Sequence, residues 1–215
     1  LKSIDVIAIN AYENDQKSIE MFPNIHSIVD VVRIVKASNS DLGVIVDNAG
    51  SRALYIDETG RILSYEELMM FFMKYDKYIA KSKSSPVFTT KTASKILEEY
   101  TSNNGGFPLV KTKNFPGEIS RGLREERGVF GGADTLKFYF PEYGPFSDAT
   151  FTTLKIIEII SRENLPLSAL IRAFPRNIHA YKSLPTSKDN HFNFKRRLLD
   201  KVQFDNEFDW DYQDT

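Results

Sequence analysis

The stretch LGVIVDNAGSRALYID, Leu42 to Asp57, decides how the rest of the chain is read. Leu42 to Val46 is a short β-branched run of the kind that forms a buried strand, Asn48 to Ser51 is a turn, and Ala53 to Ile56 is a second such strand. A further turn at Asp57-Glu-Thr-Gly60 closes this hairpin-like unit. Ahead of it, from His26 to Lys36, the apolar residues Ile28, Val29, Val32, Ile34 and Val35 recur at helical spacing until Asn39-Ser40-Asp41 stops them, which reads as a crossover helix. Earlier still, Ile4 to Ile9 has the composition of a buried parallel strand and Asn10 to Lys17 that of a loop. On the far side, Ser64 with Glu67 makes a capping box for an apolar helix over Leu68 to Ile79. A helix that apolar must pack on a sheet.

Lys81 to Pro86 is polar and ends in a proline that disfavours helix before it, so a domain boundary is placed there. Beyond it, strands at Val87 to Thr89, Leu109-Val110, Val129-Phe130 and Phe138 to Phe140 alternate with helices at Thr92 to Tyr100, Gly117 to Glu126 and Ala149 to Ile160. A short helix from Leu167 to Phe174 follows Pro166. Such alternation implies βαβ units and a mostly parallel sheet covered on both faces. A strand near Asn177 to Lys182 and a basic helix near Phe192 to Lys201 then open an unfinished unit. Phe204 to Tyr212 alternates aromatic and acidic residues, as the start of a strand or as an interaction tail.

The composition narrows function mainly by exclusion. A chain of 215 residues with 41% hydrophobic and 27% charged content is ordinary for a globular protein, and no apolar run approaches the roughly 20 residues of a membrane span. A formal net charge of -1 gives no positive field to draw the chain to nucleic acid. Without cysteine there is no disulfide, thiolate nucleophile or Cys-based zinc site, and no secretory signal opens the chain, so a cytoplasmic location is expected. The chain starts at Leu1 almost inside a strand-like run, as expected of a piece of a longer protein. His26, His179 and His191 lie far apart with no metal-ligand spacing, and neither a P-loop, a G-x-G-x-x-G nor a nucleophile elbow is present.

Two glycine-bearing turns between strands remain: Val44 to Asp57, and Gly131-Gly-Ala-Asp-Thr-Leu-Lys-Phe-Tyr-Phe-Pro141. The first, with Asp57 to Leu68 after it, resembles the second domain of the α-D-phosphohexomutases, which interconvert sugar 1- and 6-phosphates. The second resembles their third domain, with Asp148-Ala149 and Leu167 to Pro175 matching its closing helices. The resemblance implies an α/β fold of two α/β/α layered domains of phosphohexomutase type, with mostly parallel mixed sheets and a fragment of a third α+β unit. Residues 1–82 would be the latter part of domain two, 83–176 domain three, and 177–215 the truncated start of a domain-four-like unit.

The sequence also departs from that family's pattern. Its metal loop reads D-G-D-G-D-R, because three carboxylates from alternate turn positions suit a hard Mg²⁺ ion. Here those positions are Asp47, Ala49 and Ser51, followed by Arg52. Its sugar loop usually reads G-E-x-S-G-H. Here Gly132 is kept, Ala133, Thr135 and Lys137 stand for Glu, Ser and His, and Asp134 lies between. The carboxylate that would accept sugar hydroxyls at that Glu position is gone. The phosphoserine domain and the R-x-S-G-T phosphate loop lie outside this chain. The resemblance therefore implies no catalytic residue, no metal and no cofactor in this chain, a pseudoenzyme role in carbohydrate or nucleotide-sugar biosynthesis, and as partners the remaining domains of its own longer protein. Mg²⁺ returns only if the chain is a fragment of an active divergent mutase, an isomerase working by intramolecular phosphotransfer. The pattern is nearest to the mutase-like domain fused behind some sugar-nucleotide pyrophosphorylases. Lys111, Lys113, Asp134 and Lys137 read first as a solvated loop face, and as the alternative as the lining of a residual sugar-phosphate or nucleotide-sugar cleft.

Overall fold

The structure, a computed structural model, describes residues 4–9 and 25–176. In chain order the elements are α1 (Ile25–Ser38), β1 (Leu42–Val46), β2 (Ala53–Asp57), α2 (Tyr65–Tyr75), α3 (Lys77–Lys81), β3 (Val87–Thr90), α4 (Lys95–Tyr100), β4 (Leu109–Thr112), α5 (Glu118–Glu125), β5 (Phe130–Ala133), β6 (Lys137–Tyr139), α6 (Ala149–Glu163) and α7 (Leu167–Ile171). A π-turn at Thr101–Gly105 extends α4. The expected strand at 177–182, helix at 192–201 and aromatic stretch at 204–212 lie outside the described residues.

β1 and β2 pair antiparallel, from Leu42 against Asp57 to Val46 against Ala53. A two-stranded ribbon is marginal alone in water. This one is held by α1 packed on β1 and by Tyr55, wholly buried, whose hydroxyl lies 3.3 Å from both the Ala149 carbonyl and the Thr153 hydroxyl of α6. The second sheet runs β4-β3-β5-β6, with β3 parallel to both neighbours and β6 antiparallel at the edge. It is the mostly parallel, mixed sheet the alternation implied. Alternation along β3 sorts its faces: Val87 joins the large core with α2 and α4, whereas Phe88 packs with Ile119 and Leu123 of α5.

Every residue of α2 from Tyr65 to Met73 is buried, the pattern of a helix enclosed on all sides. Its Phe72 meets Phe130, Phe138 and Phe140 edge-on at ring centroid distances of 5.6, 5.7 and 5.1 Å. The main core joins Ala53 and Tyr55 of the hairpin to α2, the sheet, α6 and α7, so it runs unbroken across the 82/83 division. The capping box is present: the Glu67 amide donates to Ser64 Oγ at 3.2 Å, and the Ser64 amide to Glu67 Oε2 at 3.0 Å.

Three local expectations are corrected. Ile4 to Ile9 carries no strand; Val6 and Ile7 are 78% and 60% exposed, and the segment borders a groove of about 1030 Å³ along β1, α1 and α6. A β-branched run favours extended backbone but becomes a strand only when a neighbour takes its amides and carbonyls. The helix expected over 68–79 stops at Tyr75, because Asp76 turns extended (ψ 124°) and its carboxylate accepts from the Tyr78 and Ile79 amides to start α3. The next helix starts at Lys95 rather than Thr92, since Thr90 to Ala93 forms a turn closed by the Ala93 amide on the Thr90 carbonyl. No helix among the described residues is long and apolar enough to cross a membrane.

Removing the central ring by Phe72→Ala is expected to cost about 3–5 kcal/mol, as for other buried Phe-to-Ala changes. Urea unfolding followed by circular dichroism reads this as a lower midpoint at an unchanged slope.

Candidate functional site

Asp47, Ala49, Ser51 and Arg52 sit in the turn between β1 and β2. The turn is closed by the Asp47 amide on the Arg52 carbonyl at 3.1 Å and the Gly50 amide on the Asp47 carbonyl at 2.9 Å. Gly50 has φ +64°, which a residue without Cβ adopts freely. The Asp47 side chain points back into this loop. Its Oδ1 accepts from the Ser51 amide at 2.8 Å and the Arg52 amide at 3.1 Å; its Oδ2 accepts from Ser51 Oγ at 3.2 Å and Arg52 Nε at 3.1 Å. Burial by itself would raise the Asp47 pKa, but the two amides, the guanidinium and the hydroxyl outweigh it and hold the carboxyl below its ordinary value.

The second loop crosses from β5 to β6 through Asp134, Thr135 and Leu136, closed by the Leu136 amide on the Ala133 carbonyl at 2.9 Å. Leu136 is left-handed at φ +62°, a conformation sustained here by its packing on the main core. Gly132 is fixed by α2: a Cβ there would stand 2.7 Å from Met69 Cγ. Asp134 Oδ2 accepts from Thr92 Oγ1 at 2.8 Å. Lys111, at the end of β4, donates from Nζ to the Ala93 carbonyl at 2.9 Å and pairs with Glu98. The loops are joined through three residues: Ser147 bridges to Tyr139 of β6, Asp148 caps α6 at the Phe151 amide, and the Ala149 amide donates to the Gly50 carbonyl at 2.9 Å.

The first loop therefore offers one carboxylate, both of whose oxygens already accept two hydrogen bonds. Ala49 supplies no oxygen from its side chain, and Ser51 Oγ points at Asp47. A hard divalent ion seeks six or more oxygens, so this donor set does not fit Mg²⁺ as it stands. Among the described residues, no three His, Asp or Glu side chains are grouped to hold a metal ion. Sequence reasoning did not single out Glu66, Thr92, Ser94 and Glu98, which position the second loop's surroundings. Glu66 is 1% exposed and accepts from the Ser94 amide at 2.7 Å and Ser94 Oγ at 3.0 Å. Its neighbour Glu67 carried the capping signal; Glu66 carried none.

The description that matches the chain is "Phosphoglucomutase/phosphomannomutase, alpha/beta/alpha domain III", over residues 65–178. A phosphoglucomutase/phosphomannomutase of Thermococcus kodakarensis is 28% identical over 172 residues, covering 80% of this chain and 37% of that protein. A phosphoglucosamine mutase of Methanococcus vannielii is 25% identical over 206 residues, covering 87% of this chain and 46% of its own length. The chain thus spans less than half of either relative. The crystal structure of a phosphoglucomutase/phosphomannomutase family protein from Burkholderia thailandensis superposes with a TM-score of 0.65 over 71% of this chain and 33% of that one, at 21% identity.

The depressed Asp47 pKa has a signed consequence. Its stabilising contribution is complete above the ordinary carboxyl pKa of about 3.9 and is lost as pH falls through the lower folded value. Urea midpoints of wild type and Asp47→Asn should differ most above about pH 5 and converge as the pH is lowered below about 4.

Proposed function

Because the chain belongs to the phosphoglucomutase/phosphomannomutase family, we propose that this region is a non-catalytic mutase-like module, structural or regulatory, in a protein that handles sugar phosphates or nucleotide sugars. One observation carries the reading: Asp47, the sole carboxylate at the three metal-loop positions, is spent on its own turn. Phosphoryl transfer depends on charge placed opposite the moving phosphoryl group, through a metal, a cationic clamp and a positioned donor. Arg52, which could help supply such charge, pairs with Asp47 at 3.1 Å, and Lys111 pairs with Glu98. In this reading the module's partners are the other domains of its longer protein, and a nucleotidyltransferase is the catalytic domain we expect beside it.

A second reading is favoured by the relatives themselves, which carry mutase names and exceed this chain by more than half their length. The chain would then be part of a divergent phosphohexomutase whose phosphoserine and phosphate-binding loop lie elsewhere, with Mg²⁺ as its cofactor.

Magnesium separates the two. A ligand that binds only the native state must stabilise it, so the non-catalytic reading expects the melting temperature to move by less than about 1 °C at millimolar Mg²⁺. A rise that Asp47→Ala abolishes would sink that reading and favour the second.

A further inference from the structure

Among the described residues β1 has a strand partner on one side only, β2, and the bridge from Ile56 to Ile62 lies on the far side of β2. The Tyr55 carbonyl and the Asp57 amide are turned to that far side, where they bond the Leu63 amide and the Arg61 carbonyl at 2.9 Å. Backbone groups alternate in direction along an antiparallel strand, so Leu54 and Ile56 face β1 and meet Ile45 and Gly43 in register. The amides and carbonyls of Leu42, Val44 and Val46 are therefore left to the open edge.

Helices cover both faces of the ribbon at that edge. A Cβ on Gly43 would stand 2.7 Å from Val35 Cγ2, so α1 lies against one face. Leu42 and Val44 pack against the main core on the other, the side on which Tyr55 reaches Thr153 of α6. Half-buried Val31 and Ile34 of α1, with Ile157 and Ile160 of α6, line the groove of about 1030 Å³ beside β1. Ile4 to Ile9 lines it too, an apolar, mostly β-branched segment with no ladder of its own. An unpaired sheet edge flanked by two apolar helix surfaces is the environment of a central strand in an α/β/α layer.

We propose that this groove is a strand-acceptor slot: one extended, uninterrupted apolar segment, matching the 5 residues of β1, pairs with the open edge and comes from the part of the longer protein outside this chain. The proposal rests on the reading of this chain as a module of a longer protein, and more than half the length of each relative lies outside the stretch it matches. A strand buried on both faces needs apolar side chains throughout, without polar alternation. Residues 10–24 and 177–215 hold no more than two apolar residues in succession, so they do not supply it. Nothing on β1 itself repels a partner, since its sequence LGVIV carries no charge and no proline.

The test is amide hydrogen exchange at Leu42, Val44 and Val46, measured by NMR on the ¹⁵N-labelled chain with and without the peptide acetyl-Lys-Val-Ile-Val-Ile-Val-Lys-amide. The proposal expects these three amides to slow by about tenfold or more with peptide, and Gly43 and Ile45, already paired to β2, to change less. The same peptide with proline at its centre cannot carry the ladder and is expected to give no protection. Ile34→Lys and Ile157→Lys each set a charge in the slot from a different helix, and both are expected to abolish the effect; using two guards against one failing to fold. In the full-length protein the β1 amides should exchange slowly with no peptide added, as read by mass spectrometry. Fast exchange there overturns the proposal, as does absence of protection by the first peptide or equal protection by the proline peptide. Protection that instead rises with the concentration of the chain alone overturns it in favour of a second copy donating Ile4 to Ile9. Failure of the non-catalytic reading shows as the Mg²⁺-dependent melting shift, recorded without peptide, so the two fail separately.

Discussion

Burial of α2 is the constraint on which the rest of the structure depends. A helix whose residues Tyr65 to Met73 are all buried, Glu66 and Glu67 among them, cannot lie on a surface, and it shares one core with the hairpin, the sheet, α6 and α7. The hairpin alone is too small to be stable, and the four-stranded sheet would expose one face. Each becomes tenable because both contribute side chains to the one core that contains α2. The same helix shapes the surroundings of the second loop: a Cβ at position 132 would stand 2.7 Å from Met69 Cγ, and Glu66 anchors the turn that follows β3.

Both loops share one chemical character, in that groups able to bind a ligand are engaged inside the protein. Asp47 closes the β1–β2 turn, Asp134 accepts from Thr92, and Lys111 is held by Glu98 and a peptide carbonyl. The two loops differ in how firmly. Asp47 has four donors in a part-buried turn, whereas the Thr92–Asp134 bond is single and exposed. Cooperative networks resist competition from water better than an isolated exposed bond does.

Much of the fold was legible in the sequence because its signals are local. The β-branched runs of β1 and β2, the Ser64/Glu67 box and the apolar stripe of α6 each specify their own element, and the alternation of strands with helices specifies a parallel sheet. Where reading failed, the missing information was non-local. Nothing within Ile4 to Ile9 says whether a neighbouring strand will take its amides. Asp76 sits in an uninterrupted helical pattern and ends it only by turning its side chain onto the next amides. The site followed the same rule. The loop residues themselves stood out, but Glu66 reaches across 28 residues and Thr92 across 42, distances at which a single sequence carries no pattern.

The Asp47 turn also bears on how such a loop can change over generations. Replacing Ser51 by Asp alone would remove a hydroxyl donor and set a second carboxylate beside the first, with no ion between them to relieve the repulsion. A carboxylate at position 49 alone would find Asp47 turned inward. The two substitutions are therefore non-additive, and each single step is disfavoured unless the other precedes it. Reaching a loop with three carboxylates from this one therefore takes coupled changes at positions 49 and 51 and a re-aimed Asp47 side chain.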